Sequence, residues 1–219
     1  MALNINGTTG ISGVDGSVSA PAVTGTDSNT GITFPSADTI KFATGGVERM
    51  AITNSGVTGI TAGITMAQIW RINTIYTAVT GENALSSNWE AADNATAGYI
   101  GSSMTESSGV FTFPSTGIYL IHLNVGFYSG ASRRYLGCSI NTTTNNSTYT
   151  RVALNYTSIE LGSSTTHASV ATSYMFDVSD TSTHKVNFIT SVDDSGNAAI
   201  YANSSENRTW ASFIRLGDT

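Results

Sequence analysis

Between residues 117 and 128 the chain alternates. Tyr119, Ile121, Leu123, Val125 and Phe127 share one face of an extended backbone, and Ile118, Leu120, His122, Asn124 and Gly126 share the other. The first set is wholly apolar and belongs in a core. The second is mixed, as in a sheet face that meets either solvent or a partner. Comparable segments bounded by turn residues run over 66–76, 88–90, 109–113, 134–141, 149–156, 167–177, 184–192, 198–202 and 208–216. Short strands at such spacing predict a sandwich or barrel. In the last of them Trp210, Ile214 and Leu216 fall on one side and Phe213 and Arg215 on the other. No stretch of helical length keeps an apolar period near 3.6 residues; the nearest, Glu82 to Ala97, is broken by polar residues and reads as a long loop.

Before residue 64 the pattern thins. DTIKFAT alternates, TGG interrupts it, VERMAIT resumes and NSG interrupts again, which predicts a β-hairpin followed by a turn. Ile40 and Phe42 share a face, as do Met50 and Ile52. A lone hairpin is marginal in water, so this face is expected to be buried against other chains or another domain, most economically by self-association. Residues 1 to 33 carry only isolated apolar side chains, Ile5, Ile11, Val14, Val18 and Val23, among Gly, Ser, Thr and Asp, too few to close a core. The organisation expected is an extended segment over 1–35, a hairpin collar over 36–63 and a main domain over 64–219.

Composition strengthens the all-β reading and narrows the partners. Only 11% of the 219 residues are charged, and the polar balance is carried by Ser, Thr, Asn and 22 glycines, residues of turns and β surfaces. A net charge of -6 supplies no basic stripe for phosphates, so neither nucleic acid nor an anionic membrane surface is an expected partner. Cys138 is the sole cysteine, which leaves no intrachain disulfide and no multi-cysteine zinc site, and it is expected as a small buried apolar residue. MALNINGTTG has neither a basic nor an apolar region of a leader, and no run nears the ~20 apolar residues of a membrane span, so a soluble chain made in the cytosol is expected. The Asn-x-Ser/Thr matches at Asn94, Asn141 and Asn207 are those that chance supplies in so Asn- and Thr-rich a chain.

Two stretches carry resemblances. SSGVFTFPSTGIYLIHLNVGFY and the closing NRTWASFIRL resemble the signature of the tumour necrosis factor and complement globular-head jelly roll, in the positions Gly109, Phe111, Pro114, Gly117, Tyr119 and Phe213. The resemblance spans roughly residues 64 to 219 and implies a ten-stranded jelly roll assembled as a compact homotrimer. ALNINGTTGISGVDGSVSAPAVTGTDSNTGITF and ADTIKFATGGVERMAITNSGVTGI are similar to amino-terminal and repeat segments of bacteriophage fibre proteins, notably cyanophage ones. There Ile40, Phe42, Gly45, Gly46, Arg49, Met50, Ser55, Gly56 and Val57 match elements that form small hairpins wrapped around sister chains. A usual fibre has several such repeats and this chain has one, which implies a short appendage.

Residues with chemistry are sparse. His122, His167 and His184 lie in different predicted strands, without a nucleophile elbow or a His-x-x-x-His pair, and none is expected to be catalytic; His122 is expected at an inter-sheet or inter-subunit position. No catalytic residue, cofactor or metal is expected. Asp193, Asp194 and Asn197 offer hard oxygen donors close together, but lack the further ligands of a calcium loop and read as a turn. Trp89, Tyr128, Tyr149 and Tyr156 are candidates for stacking on sugar, against the alternative of core or interface. Arg133 and Arg134, the adjacent basic pair, read as solvated edge charges.

The function expected is that of a non-enzymatic virion protein, assembled in the host cytoplasm as a trimeric short fibre. Leu3, Ile5, Ile11 and Val14 would anchor it to other virion proteins (a tail adaptor, a portal-proximal protein or a capsid protein). Ile40, Phe42, Met50 and Ile52 would line the trimer collar, and the knob would point outward, with a host-surface glycan as one prospective partner. A capsid decoration or cement protein and a carbohydrate-binding or carbohydrate-cleaving module are the open alternatives. The acidic residues, such as Asp177, Asp180, Asp193 and Asp194, gather in turns rather than in the paired arrangement that sugar cleavage needs.

Overall fold

The computed structural model describes residues 4–6, 10–12, 15–59, 63–77, 79–160, 162–193 and 198–219, and among them there is no helix. The chain divides into two compact units, Met1–Ala62 and Gly63–Thr219. In the first, β1 (Asn4–Asn6) pairs with β2 (Gly10–Ser12), and β3 (Gly16–Ser17) with β4 (Ala20–Pro21). A five-stranded antiparallel sheet follows in sequence order: β5 (Val23–Thr24), β6 (Gly31–Thr33), β7 (Ile40–Thr44), β8 (Val47–Thr53) and β9 (Gly56–Thr58). The predicted hairpin is β7 and β8. Its turn is Gly45 and Gly46, at φ of 59° and 74°, the left-handed pair that a two-residue hairpin loop needs.

The segment expected to be extended up to residue 35 is therefore not so throughout. Val23–Thr24 and Gly31–Thr33 extend the sheet of the hairpin, two and three residues at a time, through backbone pairing that demands little of the side chains. On the sheet's inner side Thr33, Ala43 and Ala51 are buried, small enough to let the preceding loop lie close, as the bond from Phe34 N–H to Asp15 C=O requires.

The second unit runs through β10 (Met66–Ile72), β11 (Tyr76–Thr77), β12 (Gly81–Ala84), β13 (Trp89–Ala91), β14 (Thr105–Ser107), β15 (Val110–Thr112), β16 (Gly117–Ser129), β17 (Arg133–Thr143), β18 (Thr150–Ile159), β19 (Thr166–Val178), β20 (Lys185–Val192), β21 (Ala198–Ile200) and β22 (Trp210–Gly217). Eight of these nest in pairs. β10 pairs with β22, β15 with β20, β16 with β19, and β17 with β18, all antiparallel. First with last, second with seventh, third with sixth and fourth with fifth is the strand order of a jelly roll. One sheet reads β19-β16-β22-β10 and the other β15-β20-β17-β18; β13 beside β10 and β14 beside β15 bring the count to ten. β11, β12 and β21 are short additions. Glu82 to Ala97, read from sequence as a loop around the short segment 88–90, supplies the edge strands β12 and β13; β12 is polar and held by main-chain bonds, and β13 turns Trp89 into the core.

The core between the sheets is built from the predicted face of β16. Tyr119, Ile121, Leu123, Val125 and Phe127 are all fully buried. At its centre the Phe111 ring lies 5.5 Å from Trp70, 5.1 Å from Trp89, 5.5 Å from Phe188 and 5.1 Å from Phe213, centroid to centroid. Two of these contacts are edge-to-face, the arrangement in which ring quadrupoles attract. Cys138 is fully buried, its thiol 3.6 Å from the Val170 carbonyl, and burial pushes its pKa up to about 12.

Replacing Phe111 by Ala removes the hub of this cluster and is expected to cost about 3–5 kcal/mol, read as a lower urea midpoint for the second unit. Cys138 is expected to resist a chromogenic thiol reagent at pH 8 until denaturant is added. Because its pKa is raised in the folded state, its contribution to stability is complete below its ordinary value of 9.0 and declines as pH climbs toward about 12, which pH-dependent denaturation would register.

Candidate functional site

Three surfaces stand out, one on the first unit and two on the second. On the five-stranded sheet the cross-strand partners are Val23 with Ile32, Ile32 with Phe42, Phe42 with Met50, Ile40 with Ile52, Ile52 with Val57, and Thr44 with Val47. Val23, Ile32, Ile40, Phe42, Val47, Met50, Ile52 and Val57 therefore crowd one face, set by the two-residue period of the strands. Among the described residues of the first unit nothing covers it. Val23, Val47 and Val57 are each more than half exposed, Ile40 and Ile52 are exposed, and Ile32, Phe42 and Met50 are half-buried by each other. A hollow of about 430 Å³ opens there between Phe34, Ile40 and Ile52. The four residues predicted for the collar, Ile40, Phe42, Met50 and Ile52, thus lie together.

The second surface is the outer face of the β19-β16-β22-β10 sheet. One row runs Met175, Leu120, Ile214, Ala67, and the next runs Ser173, His122, Ser212, Ile69. Met175 is 63% exposed. Tyr99 and Ile100 stand over the edge of this face, tied down where Ile100 and Ala67 exchange both main-chain bonds, and an apolar cleft of about 500 Å³ lies among Ala67, Ile69, Tyr99, Ile100, Trp210 and Ile214. His122, expected at an inter-sheet or inter-subunit position, is not between the sheets. It lies half-buried on this outer face, its ring 5.1 Å from Trp210.

The same face holds a residue that sequence reading passed over. Arg71 points outward beside Trp210, yet its side chain is wholly buried, because Glu90 to Asn94 fold across it. Its Nε donates to Glu90 Oε1 at 2.7 Å, its Nη2 to Asp93 Oδ1 at 2.5 Å, and its Nη1 to Asn94 Oδ1. Asn73 donates to the other oxygen of Glu90 at 3.0 Å. The planar fork of a guanidinium serves three acceptors at once and so pins the approach to Tyr99. The sequence signal was an arginine inside a mostly apolar strand.

The third surface lies at the far end of β16. Tyr128 and Tyr201 rings are 5.6 Å apart, His167 is 5.6 Å from Tyr128 and 4.9 Å from Tyr201, and the Arg208 guanidinium sits 4.0 Å above the Tyr201 ring. Tyr201 and Arg208 belong to the loop between β21 and β22. Gly126 lets that loop approach, since a Cβ there would come within 3.0 Å of the Arg208 carbonyl. The loop ends are stitched down: Tyr201 N–H donates to Gly126 C=O at 2.7 Å, Gly126 N–H to Thr209 Oγ1 at 3.0 Å, and Thr209 Oγ1–H to Tyr201 C=O at 2.7 Å.

The remaining sequence candidates distribute as follows. Phe111, Tyr119 and Phe213 are core; Tyr119 Oη donates to the Ser115 carbonyl at 3.0 Å. Gly109 has φ of 79° in the Ser108–Gly109 turn, and Gly117 leaves room for the Arg215 guanidinium and the Gly217 carbonyl. Pro114 is half-buried just ahead of β16. Of the anchor candidates, Leu3 and Val14 lie outside the described residues, and Ile5 and Ile11 are partners across the β1–β2 ribbon. Asp194 and Asn197 lie outside the described residues; Asp193 accepts from the Arg134 N–H at 2.8 Å. Arg134 is a surface charge as expected, but Arg133 is buried, because the bulge at the start of β17 turns its side chain inward. Of the sugar candidates Trp89 is core, its Nε1 bonded to the Leu85 carbonyl at 2.7 Å, and Tyr156 lies over Gly137 with its ring 5.6 Å from Tyr135. Tyr149 is half-buried apart from both, its phenol pKa raised by that burial. His184 stacks on Phe176 and bonds Ser179 and Thr183.

No family model matches this chain, and no curated protein does. Among solved structures it is similar to murine APRIL at pH 8.0, at 10% identity and a TM-score of 0.49, over 69% of this chain and 98% of that one. It is also similar to murine APRIL at pH 5.0, at 12% identity and 0.48 over the same shares, and to Eiger TNF from S. frugiperda, at 12% identity and 0.45 over 72% and 96%. The likeness is one of fold. The jelly roll itself stands on the strand order above.

Arg71→Ala is expected to destabilise the second unit by about 2–3 kcal/mol, from the loss of a buried side chain and its three hydrogen bonds, while Glu90 and Asp93 regain water. Amide exchange across Ala92 to Ala97 should accelerate most. Arg71→Lys should restore only part of the loss, because an ammonium cannot hold three acceptors in one plane.

Proposed function

We propose that this chain is a non-enzymatic structural protein that works as a homotrimer, a short bacteriophage fibre with an amino-terminal attachment segment, a β collar and a jelly-roll knob. The observation that carries the reading is the uncovered apolar face of the five-stranded sheet. Eight apolar side chains in cross-strand register, on a unit whose buried described residues are only Pro21, Thr33, Ala43 and Ala51, lack a cover among the described residues of that unit. Copies of the same chain offer one of matching chemistry. The outer face of the jelly roll, with Leu120, Met175, Ile214 and the Tyr99–Ile100 cleft, supports assembly through the knob as well. Apolar patches of this kind on a soluble protein are interaction surfaces or liabilities.

The virion role rests on the resemblance of residues 2 to 60 to phage fibre segments, and attachment to other virion proteins falls to residues 1 to 35 on that reading. Among the described residues no three His, Cys, Asp or Glu side chains gather as a metal site would need, and the histidines are engaged with aromatic rings.

Light scattering coupled to size exclusion is expected to give three times the chain mass of 22.8 kDa. Phe42→Asp, which buries a charge at the centre of the proposed collar, is expected to shift the population to lighter species. A wild-type monomer at micromolar concentration would refute the assembly. Immunogold labelling of intact particles tests the virion role, and a label at capsid three-fold positions instead of on an appendage would favour the decoration protein.

A further inference from the structure

In the cluster of Tyr128, His167, Tyr201 and Arg208 only the guanidinium spends its polar tip on the protein, on Glu206. The Tyr128 and Tyr201 hydroxyls and the His167 ring nitrogens make no hydrogen bond to described residues, although their rings pack together at 4.9 to 5.6 Å. Against the His167 and Tyr201 rings lies a hollow of about 330 Å³, lined by Gly126, Phe127, His167, Ala168, Ser169, Tyr201 and Arg208, with Tyr128 packed on those two rings beside it. Its floor exists because Gly126 has no side chain, and its wall is held by the stitched loop ends and by the Asn124 amide donating to the Arg208 carbonyl at 3.1 Å. Glu206 holds the guanidinium at 2.8 Å, so the one cation of the site is already neutralised and fixed over the Tyr201 ring. His167 is exposed, and Tyr128, Tyr201 and Arg208 are half-buried.

We infer that this hollow is a saccharide-binding site for a neutral hexopyranose unit. Such a ring has an apolar C–H face and a girdle of hydroxyls, and the hollow presents the complement: aromatic faces and a planar guanidinium inside, unspent hydroxyl and imidazole groups around the rim. The paired charge disfavours sulfated or phosphorylated sugars, which would require an uncompensated cation. The site gives the outward knob of the proposed fibre a host-surface glycan to meet, and it rests on the fibre reading only for where the sugar is found.

The probes are the methyl glycosides of glucose, galactose and mannose with their di- and trisaccharides, titrated into the full-length protein and followed by NMR. One or more of them should shift the Tyr128, His167 and Tyr201 side-chain signals with a dissociation constant of about 1 mM or tighter, the range open to a small ligand on a shallow site. Tyr201→Ala and His167→Ala should each weaken binding by about tenfold, while Tyr99→Ala, on the separate cleft, should leave it unchanged. Unaltered melting temperatures in the variants exclude misfolding, and a glycoside that protects wild type but not Tyr201→Ala from heating gives a second readout. No shift with any of the probes overturns the inference, as does binding that survives Tyr201→Ala and His167→Ala. So does loss of self-association in Tyr201→Ala without sugar binding by wild type, which would make the cluster a contact between copies. A monomer that binds sugar would reject the trimer and keep this site; a trimer that binds none would do the reverse.

Discussion

The Phe111 ring is the point at which two sheets become one domain. It belongs to the sheet of β15, β20, β17 and β18, and it meets Trp70 and Phe213 of the opposite sheet. Everything on the outside of the sandwich depends on that contact. Since successive side chains must alternate, driving Phe213 inward sends Ser212 and Ile214 outward, and driving Ile121 inward sends Leu120 and His122 outward. The outer apolar row is the other half of the core, fixed in the same act.

The same alternation explains what could be read before any fold was known. From 117 to 192 the strands run eight residues or more and most keep an inward apolar set, so the period is strong and the jelly-roll strands emerge with their ends nearly in place. The hairpin of β7 and β8 was legible for the same reason, down to the partners Ile40 with Ile52 and Phe42 with Met50. Residues 15 to 33 were not, because strands of two or three residues have no period to detect and are held by main-chain bonds. β12 was hidden likewise: Gly81 to Ala84 pairs with β20 as a polar edge strand. Arg71 and Arg133 escaped because burial of a charge depends on distant acceptors or on a bulge. The third surface was half visible. Tyr128 was a candidate, but Tyr201 and Arg208 join it through a loop that only pairing across β16 brings near.

Scarcity of charge gives the molecule its character. With 15 acidic and 9 basic residues, the chain has few groups with which to make a sheet face repel other proteins. One cation is enclosed for the local architecture of the Tyr99 arm, and another is pinned above Tyr201. What remains exposed is dominated by hydroxyl, amide and hydrocarbon, with scattered charges such as Arg134 and Asp218. Such a surface adheres by shape and by dry contact rather than by long-range attraction, and its contacts should be correspondingly insensitive to ionic strength.

The stitched loop between β21 and β22 has a consequence of another kind. Its two ends are secured on β16 through Gly126 and on β10 through Ile72, whose N–H donates to Thr209 and whose carbonyl accepts from Asn203. The intervening residues carry no share of the strand register. Insertions, deletions and substitutions between Ser204 and Asn207 can therefore accumulate across generations without shifting the final strand, leaving the scaffold constant while the chemistry that it displays is free to diversify.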